Sequence, residues 1–89
     1  MPLVSIPPPY RGPTQGKADV QVQASDVRAC LLAVDAEHPG FSDQIFDADG
    51  EVHVFVKLFL NGDLLRPDQL DRAVGPDDEV GVIAAIAGG

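Results

Sequence analysis

The sequence has a single cysteine, Cys30, so no disulfide can form within the chain, which fits a reducing compartment. Basic residues are also few. Six Lys+Arg stand against fourteen Asp+Glu, a net charge of −8. Nucleic acid and anionic membrane both ask for a basic face, so neither is expected as a partner. No positively charged start leads into an apolar segment, and no apolar run approaches the ~18 residues of a membrane span. The chain is therefore expected to be soluble, unsecreted and cytoplasmic. It has no Ser-His-Asp order, no Cys-x-x-Cys, no phosphate-binding loop and no Gly-x-Gly-x-x-Gly. Its two histidines, His38 and His53, lack metal-ligand spacing. No catalytic residue, no metal site and no enzyme activity of the chain's own are expected.

What is present suffices for one small domain. At 89 residues, 45% of them hydrophobic, the chain can build a single modest core without staples. Its acids cluster in Asp43 to Glu51 and Asp68 to Glu79. Those clusters read either as a solvated surface or as a field that steers docking onto a basic protein. Asp47-Ala48-Asp49-Gly50-Glu51 has a superficial likeness to a calcium loop, but Ile45 and Val56 stand where such a loop carries acids. It reads as a solvated turn.

Leu3-Val4-Ser5-Ile6 is β-prone, and Pro7-Pro8-Pro9 stops it because proline has no N–H for a ladder. After a loop to about Ala18, Asp19 to Gln23 alternates polar and apolar as a half-buried strand does. Ser25 is the expected N-cap of a helix, with Asp26 in its first turn. Val27, Cys30, Leu31 and Val34 fall on one face of that helix, which runs to about Glu37 and is ended by Pro39-Gly40. Cys30 is thus expected to be a buried structural thiol. The stretch from Phe41 to Glu51 reads as irregular, with Phe41, Ile45 and Phe46 tucked under a sheet.

His53 to Leu60 carries the strongest strand pattern. Val54, Val56, Leu58 and Leu60 are expected to face the helix; His53, Phe55, Lys57 and Phe59 are expected to face outward. The two rings form a binding patch or lie under a loop. Asn61-Gly62 predicts a hairpin turn into Asp63-Leu64-Leu65. Arg66 to Val74 reads as a loop or single helical turn, and Gly75-Pro76-Asp77-Asp78 as a turn. Glu79 to Ile83 is the last strand, with Ile83 placed to join Phe59 if the two strands are neighbours. One helix cannot cover both faces of such a sheet, so one face is left open to a partner. With the first and last strands parallel in the middle, the pattern predicts an α+β fold: a β-grasp with a mixed sheet of about five strands and one main helix on one face.

The chain closes on Ala84-Ala85-Ile86-Ala87-Gly88-Gly89. Two terminal glycines read either as a fraying end or as a tail slim enough for a slot where any Cβ would clash. Three segments decide between these readings by resemblance. Val56-Lys57-Leu58-Phe59-Leu60-Asn61-Gly62-Asp63, Pro76-Asp77-Asp78-Glu79-Val80 and Val82 to Gly89 resemble the corresponding segments of ubiquitin-like sulfur carriers, the MoaD/ThiS/CysO family. The long segment between helix and third strand resembles the MoaD and CysO branches more than ThiS. Val4-Ser5-Ile6-Pro7 and the tail are most similar to CysO-type carriers of actinobacteria. Unlike ubiquitin, the chain has no arginine beside Gly88-Gly89.

The resemblance implies residues 1–83 as the β-grasp domain and 84–89 as a flexible tail. It implies that an E1-like adenylating enzyme of the MoeB/ThiF type, using ATP and Mg, activates the Gly89 carboxylate. Sulfide equivalents then displace AMP, and the resulting thiocarboxylate serves a sulfur-accepting biosynthetic enzyme making cysteine, a cofactor or a secondary metabolite. The chain itself binds no cofactor on this reading and acts as a co-substrate. Gly88, Ala87 and Ile86 supply the slim tail, which with Ala84 and Ala85 reaches roughly 20 Å when extended. Phe59 and Ile83, extended by Phe55, match the docking patch of such carriers. Two further roles are open within the resemblance: the small subunit of a molybdopterin synthase, and a protein modifier that forms isopeptide bonds through Gly89.

Overall fold

The computed structural model describes residues 1–85. Five strands form one sheet in the order β2-β1-β5-β3-β4. β1 (Leu3–Ser5) and β2 (Asp19–Gln21) are an antiparallel pair, and β1 runs parallel to β5 (Glu79–Ala84) at the centre. β3 (Val56–Leu60) is antiparallel to both β5 and β4 (Asp63–Leu64). This is the β-grasp topology that the strand order in the sequence predicts. The long β1–β2 connection is tied down locally: Pro8–Tyr10 forms a 3-10 turn, Arg11 Nε donates to Ile6 O at 2.8 Å, and the buried Thr14 hydroxyl donates to Lys17 O at 3.0 Å.

Helix α1 (Val27–Glu37) crosses one face of the sheet. Val27, Cys30, Leu31 and Val34 are all buried against Val4, Val80, Val82, Val56 and Leu58, one continuous apolar core. Fully burying a side chain of this kind contributes about 1.5–3 kcal/mol, so the i, i+3, i+4, i+7 spacing is what fastens the helix to the sheet. The N-cap is Asp26, not Ser25. Asp26 Oδ1 accepts the Ala29 N–H at 2.7 Å, whereas the Ser25 carbonyl accepts the N–H of Val74. The next two free N–H groups of the helix, Val27 and Arg28, donate to Arg72 O and Leu70 O. The segment before β5 is thereby held against the start of α1, and within it Pro67–Gln69 makes a single 3-10 turn.

Two stretches differ from the sequence pattern. Phe41 to Glu51 is not wholly irregular, because Phe41–Ile45 forms a short helix, α2. Gly40, at φ 102°, turns the chain into it, and Asp35 Oδ1 accepts the N–H groups of Gly40 and Ser42. A carboxylate supplied from α1 thus caps α2, which a local reading cannot see. Phe41 and Ile45 are buried as expected, while Phe46 is half-buried under the Arg28 guanidinium, 5.5 Å from its ring centre. The third strand begins at Val56 rather than His53. His53 O accepts the Val56 N–H at 2.9 Å, so the backbone turns there. Val54, expected to face the helix, stands 73% exposed. Val54 lies within that turn, before the first β3–β5 pair among the described residues, Val56 with Ala84. β5 in turn runs one residue past Ile83, the expected end of the domain.

Candidate functional site

The face of the sheet opposite α1 carries no helix. Cross-strand register places Asp19, Ser5, Gly81, Phe59 and Leu64 in one row across all five strands. Ile83 lies two residues along β5 from Gly81, opposite Lys57. The row is small in its middle and large at one side, since Ser5 and Gly81 sit beside Phe59 and Leu64. The result is a shallow depression of about 360 Å³ lined by Ser5, Phe59, Gly62, Glu79, Gly81 and Ile83. Ile83 is 49% exposed, Leu64 60% exposed and Phe59 half-buried. The structure thus brings Phe59 and Ile83 together. It adds Leu64, which the sequence reading left aside. The signal was there: a two-residue turn at Asn61-Gly62 fixes the register, which pairs Phe59 with Leu64 on one face.

The edge of this depression is a hydrogen-bonded clasp. Asn61 and Gly62 both have positive φ, 50° and 87°, as a two-residue hairpin turn of the primed kind requires. Asn61 Nδ2 donates to Asp78 Oδ1 at 2.9 Å, and Asn61 Oδ1 accepts the Glu79 N–H at 2.9 Å. Asp78 Oδ2 accepts the Gly75 N–H at 2.7 Å. The Gly75 N–H, followed by the Asn61 amide, holds the Asp78 carboxyl below the usual carboxylate range. Two segments remote in sequence, Asn61-Gly62 and Pro76 to Val80, are therefore one physical unit. It fixes where β5 enters the sheet.

At its other end β5, which closes at Ala84, comes beside Phe55. The Ala85 N–H donates to Phe55 O at 2.7 Å. Phe55 is 52% exposed, in the turn before β3 rather than in the strand where the sequence pattern put it. Ile86, Ala87, Gly88 and Gly89 lie outside the described residues.

Elsewhere, Cys30 and Asp47 have structural roles. Cys30 is fully buried, and burial followed by the Asp26 charge pushes its thiol up, away from the thiolate. Asp47 Oδ1 accepts the N–H groups of Asp49 and Glu51 at 2.9 and 3.0 Å, closing a turn on itself. Among the described residues no group of three or more His, Cys, Asp or Glu side chains is placed to hold a metal ion, and no helix is long and apolar enough to cross a membrane.

The chain is similar to proteins of known kind. The sulfur carrier protein CysO of Mycobacterium tuberculosis (strain H37Rv) is 30% identical over 89 residues, covering 97% of this chain and 96% of that one. CysO of Mycobacterium bovis matches to the same extent. Among solved structures, a chain of the Amycolatopsis orientalis BexX/CysO complex superposes with a TM-score of 0.89 at 26% identity over 100% of both chains. M. tuberculosis CysO superposes at 0.88 with 27% identity, covering 97% of this chain and 100% of that one. Small archaeal modifier protein 1 of Haloferax volcanii, at 22% identity and a TM-score of 0.83 over 99% and 98% of the two chains, shares the fold. All five strands and α1 thus fall into the ubiquitin-like β-grasp of these structures. The ThiS family profile matches residues 10–89, and the chain belongs to the ThiS family.

Proposed function

We propose that this protein is a sulfur carrier whose reacting group is the Gly89 carboxylate. The observation that carries the proposal is the course of β5. It is the central strand, locked at its start by the Asn61–Asp78 clasp, it borders the open sheet face through Gly81 and Ile83, and in sequence it is followed after Ala85 by Ile86-Ala87-Gly88-Gly89. Full-length similarity to CysO sulfur carriers supports the reading. An E1-like partner of the MoeB/ThiF type supplies ATP and Mg. A Gly89 carboxylate oxygen attacks the α-phosphorus, pyrophosphate leaves, and an acyl-adenylate forms. A sulfide equivalent then attacks the acyl carbon and expels AMP, leaving a thiocarboxylate.

The carrier's own part is presentation. Gly88 and Gly89 have no Cβ to clash in a narrow channel, while Ile86 and Ala87 span the distance to the body. The partner supplies phosphate binding and transition-state stabilisation, so the carrier acts as co-substrate. Phe59 and Ile83, with Leu64 in the same row and Phe55 at the exit of β5, form the surface on which the activating enzyme and the sulfur-accepting enzyme dock in turn.

Intact-mass measurement after incubation with an E1-like enzyme, ATP, Mg and sulfide tests this. The expected product is heavier by the replacement of one oxygen by one sulfur. Deleting Gly89, or appending one residue after it, is expected to abolish the conversion while the fold persists. Absence of the thiocarboxylate in the wild type sinks the sulfur-carrier reading. Conversion retained in either end variant removes Gly89 from its role. A ladder of conjugates through lysine identifies a protein modifier instead, and copurification with a stoichiometric large subunit identifies a synthase component.

A further inference from the structure

Asn61 is the only asparagine of the chain, and Gly62 follows it. Asparagine is a thermolabile side chain, most of all before glycine, where no Cβ shields the next backbone nitrogen. Both residues are exposed, and a Cβ at Gly62 would meet nothing within 4 Å beyond its chain neighbours, so water and room to rearrange are at hand. The Gly62 N–H is engaged by no turn or loop hydrogen bond among the described residues. The Asn61 carboxamide, by contrast, is tied at both ends to the start of β5, Nδ2 on Asp78 Oδ1 and Oδ1 on the Glu79 N–H, each at 2.9 Å. We propose that Asn61 is a site of spontaneous deamidation gated by this clasp, and that its conversion to aspartate or isoaspartate opens the clasp in turn.

The reaction needs no partner but water. The Gly62 nitrogen loses its proton and attacks Asn61 Cγ; the N–Cγ bond forms, the Cγ–Nδ2 bond breaks, and Nδ2 leaves as ammonia with a proton equivalent to the one lost. Water then opens the resulting succinimide at one carbonyl or the other, leaving aspartate or isoaspartate. To react, Cγ must turn to the Gly62 nitrogen, and the two bonds to β5 hold it elsewhere. Asp78 is itself anchored, since its Oδ2 accepts the Gly75 N–H at 2.7 Å, so the gate is rigid on both sides. Once the amide is gone, Asp78 Oδ1 has lost its donor and faces a second carboxylate, a pair of like charges at hydrogen-bond distance. The Asn61 N–H on Glu79 O and the Leu3 N–H on Asp78 O flank the clasp, so its opening reaches the place where β1 and β5 meet. Nothing in this chemistry involves Gly89, and the site stands whether or not the chain carries sulfur.

Peptide mapping of the full chain by mass spectrometry, during incubation in neutral buffer, reads the exchange of NH2 for OH at Asn61. Asp78→Ala is expected to speed it by about tenfold or more, the scale set by losing a hydrogen bond to a charged group. Asp78→Asn, which keeps the side-chain shape with one acceptor oxygen in place of two, is expected to speed it likewise. Ile45→Val, a loss of stability in the core at α2, should leave the rate unchanged. Equal rates in wild type and both Asp78 variants overturn the gate. Equal acceleration by Ile45→Val overturns it too, by assigning the reaction to global unfolding. Asn61→Asp, the charge the reaction produces, is expected to lower the thermal midpoint by at least about 4 °C and to speed hydrogen exchange at the Leu3 N–H. The swap Asn61→Asp/Asp78→Asn should restore both, because the amide at position 78 accepts the Gly75 N–H and donates to the carboxylate at position 61. An unchanged midpoint in Asn61→Asp, or no recovery in the swap, overturns the opening of the clasp.

Discussion

Asn61 and Asp78 show how much a single pair of side chains organises. Asn61 accepts positive φ in the hairpin turn and at the same time uses both ends of its amide, one on Asp78 and one on the Glu79 N–H. Among the described residues, Asp78 and Asp35 are drawn below the usual carboxylate range, Asp78 first by the Gly75 N–H and Asp35 first by the Ser42 N–H. A carboxylate with a depressed folded pKa contributes stability that is fully present above its unfolded value, about 3.9 for Asp. That contribution is lost as pH falls through the folded value. The contribution of these two groups to wild-type stability in urea is therefore expected to hold from neutrality to about pH 5 and to be lost below about pH 4. The double variant Asp35→Asn/Asp78→Asn should start lower and show a shallower fall. A variant whose acid limb is as steep as wild type would remove these two groups as its source.

Element-scale behaviour is set by β5 and its neighbours. Gly81 faces the open side opposite Phe59, and a Cβ there would lie 3.6 Å from Phe59 Cβ, an ordinary contact. Its φ is not in the left-handed region, so the strand accepts a side chain. Gly81→Ala is expected to raise stability by about 0.4–1 kcal/mol through loss of unfolded-state entropy. The larger Gly81→Val fills the depression beside Phe59 and should weaken partner binding by more than about fivefold, the scale of a 1 kcal/mol contact. Calorimetry of folding and titration of the partner separate the two effects. Partner binding unchanged in Gly81→Val would show that the depression is not where docking occurs. Most of this face was legible beforehand, since the alternation of Val56 to Leu60 placed Phe59 outward and Glu79 to Ile83 placed Ile83 outward. Leu64 and Val54 were not. Whether a residue faces the core depends on which strand lies beside it and where its own strand begins, and alternation alone gives neither.

For the molecule as a whole, charge is the dominant surface term. A net charge of −8 on 89 residues gives a field that reaches about 10 Å at 0.1 M salt and about 3 Å at 1 M. Asp19 and Glu79 lie on the open face itself, Asp19 at the β2 end of the row and Glu79 two residues before Gly81 on β5. Association with a basic partner surface is expected to slow by about tenfold or more between low and high salt, with dissociation little changed. Stopped-flow association at increasing NaCl measures this. A salt-independent association rate would reduce the acidic surface to a solvating role.

The sequence alone determined α1 and the five strands in outline, the apolar faces of α1 and β5, the alternation of β3 from Val56 onward, the Asn-Gly hairpin and the Gly-Gly ending, because each depends on periodicity or on the conformational range of one or two residues; the short helix α2 and the start of β3 it did not determine. It also determined that no disulfide forms within the chain, since one cysteine cannot make one. The tertiary structure decided what depends on distant partners. Asp26 rather than Ser25 caps α1, because the Ser25 carbonyl is engaged by Val74 across the fold. Asp35 builds α2 from another helix. Val54 is exposed because the backbone turns at His53 before β3 begins, and Asn61 and Asp78 meet although a strand, a turn and a loop separate them in the chain. At the helix caps and at the clasp the deciding hydrogen bond joins groups that sequence order keeps apart, and only the packed sheet brings them within reach.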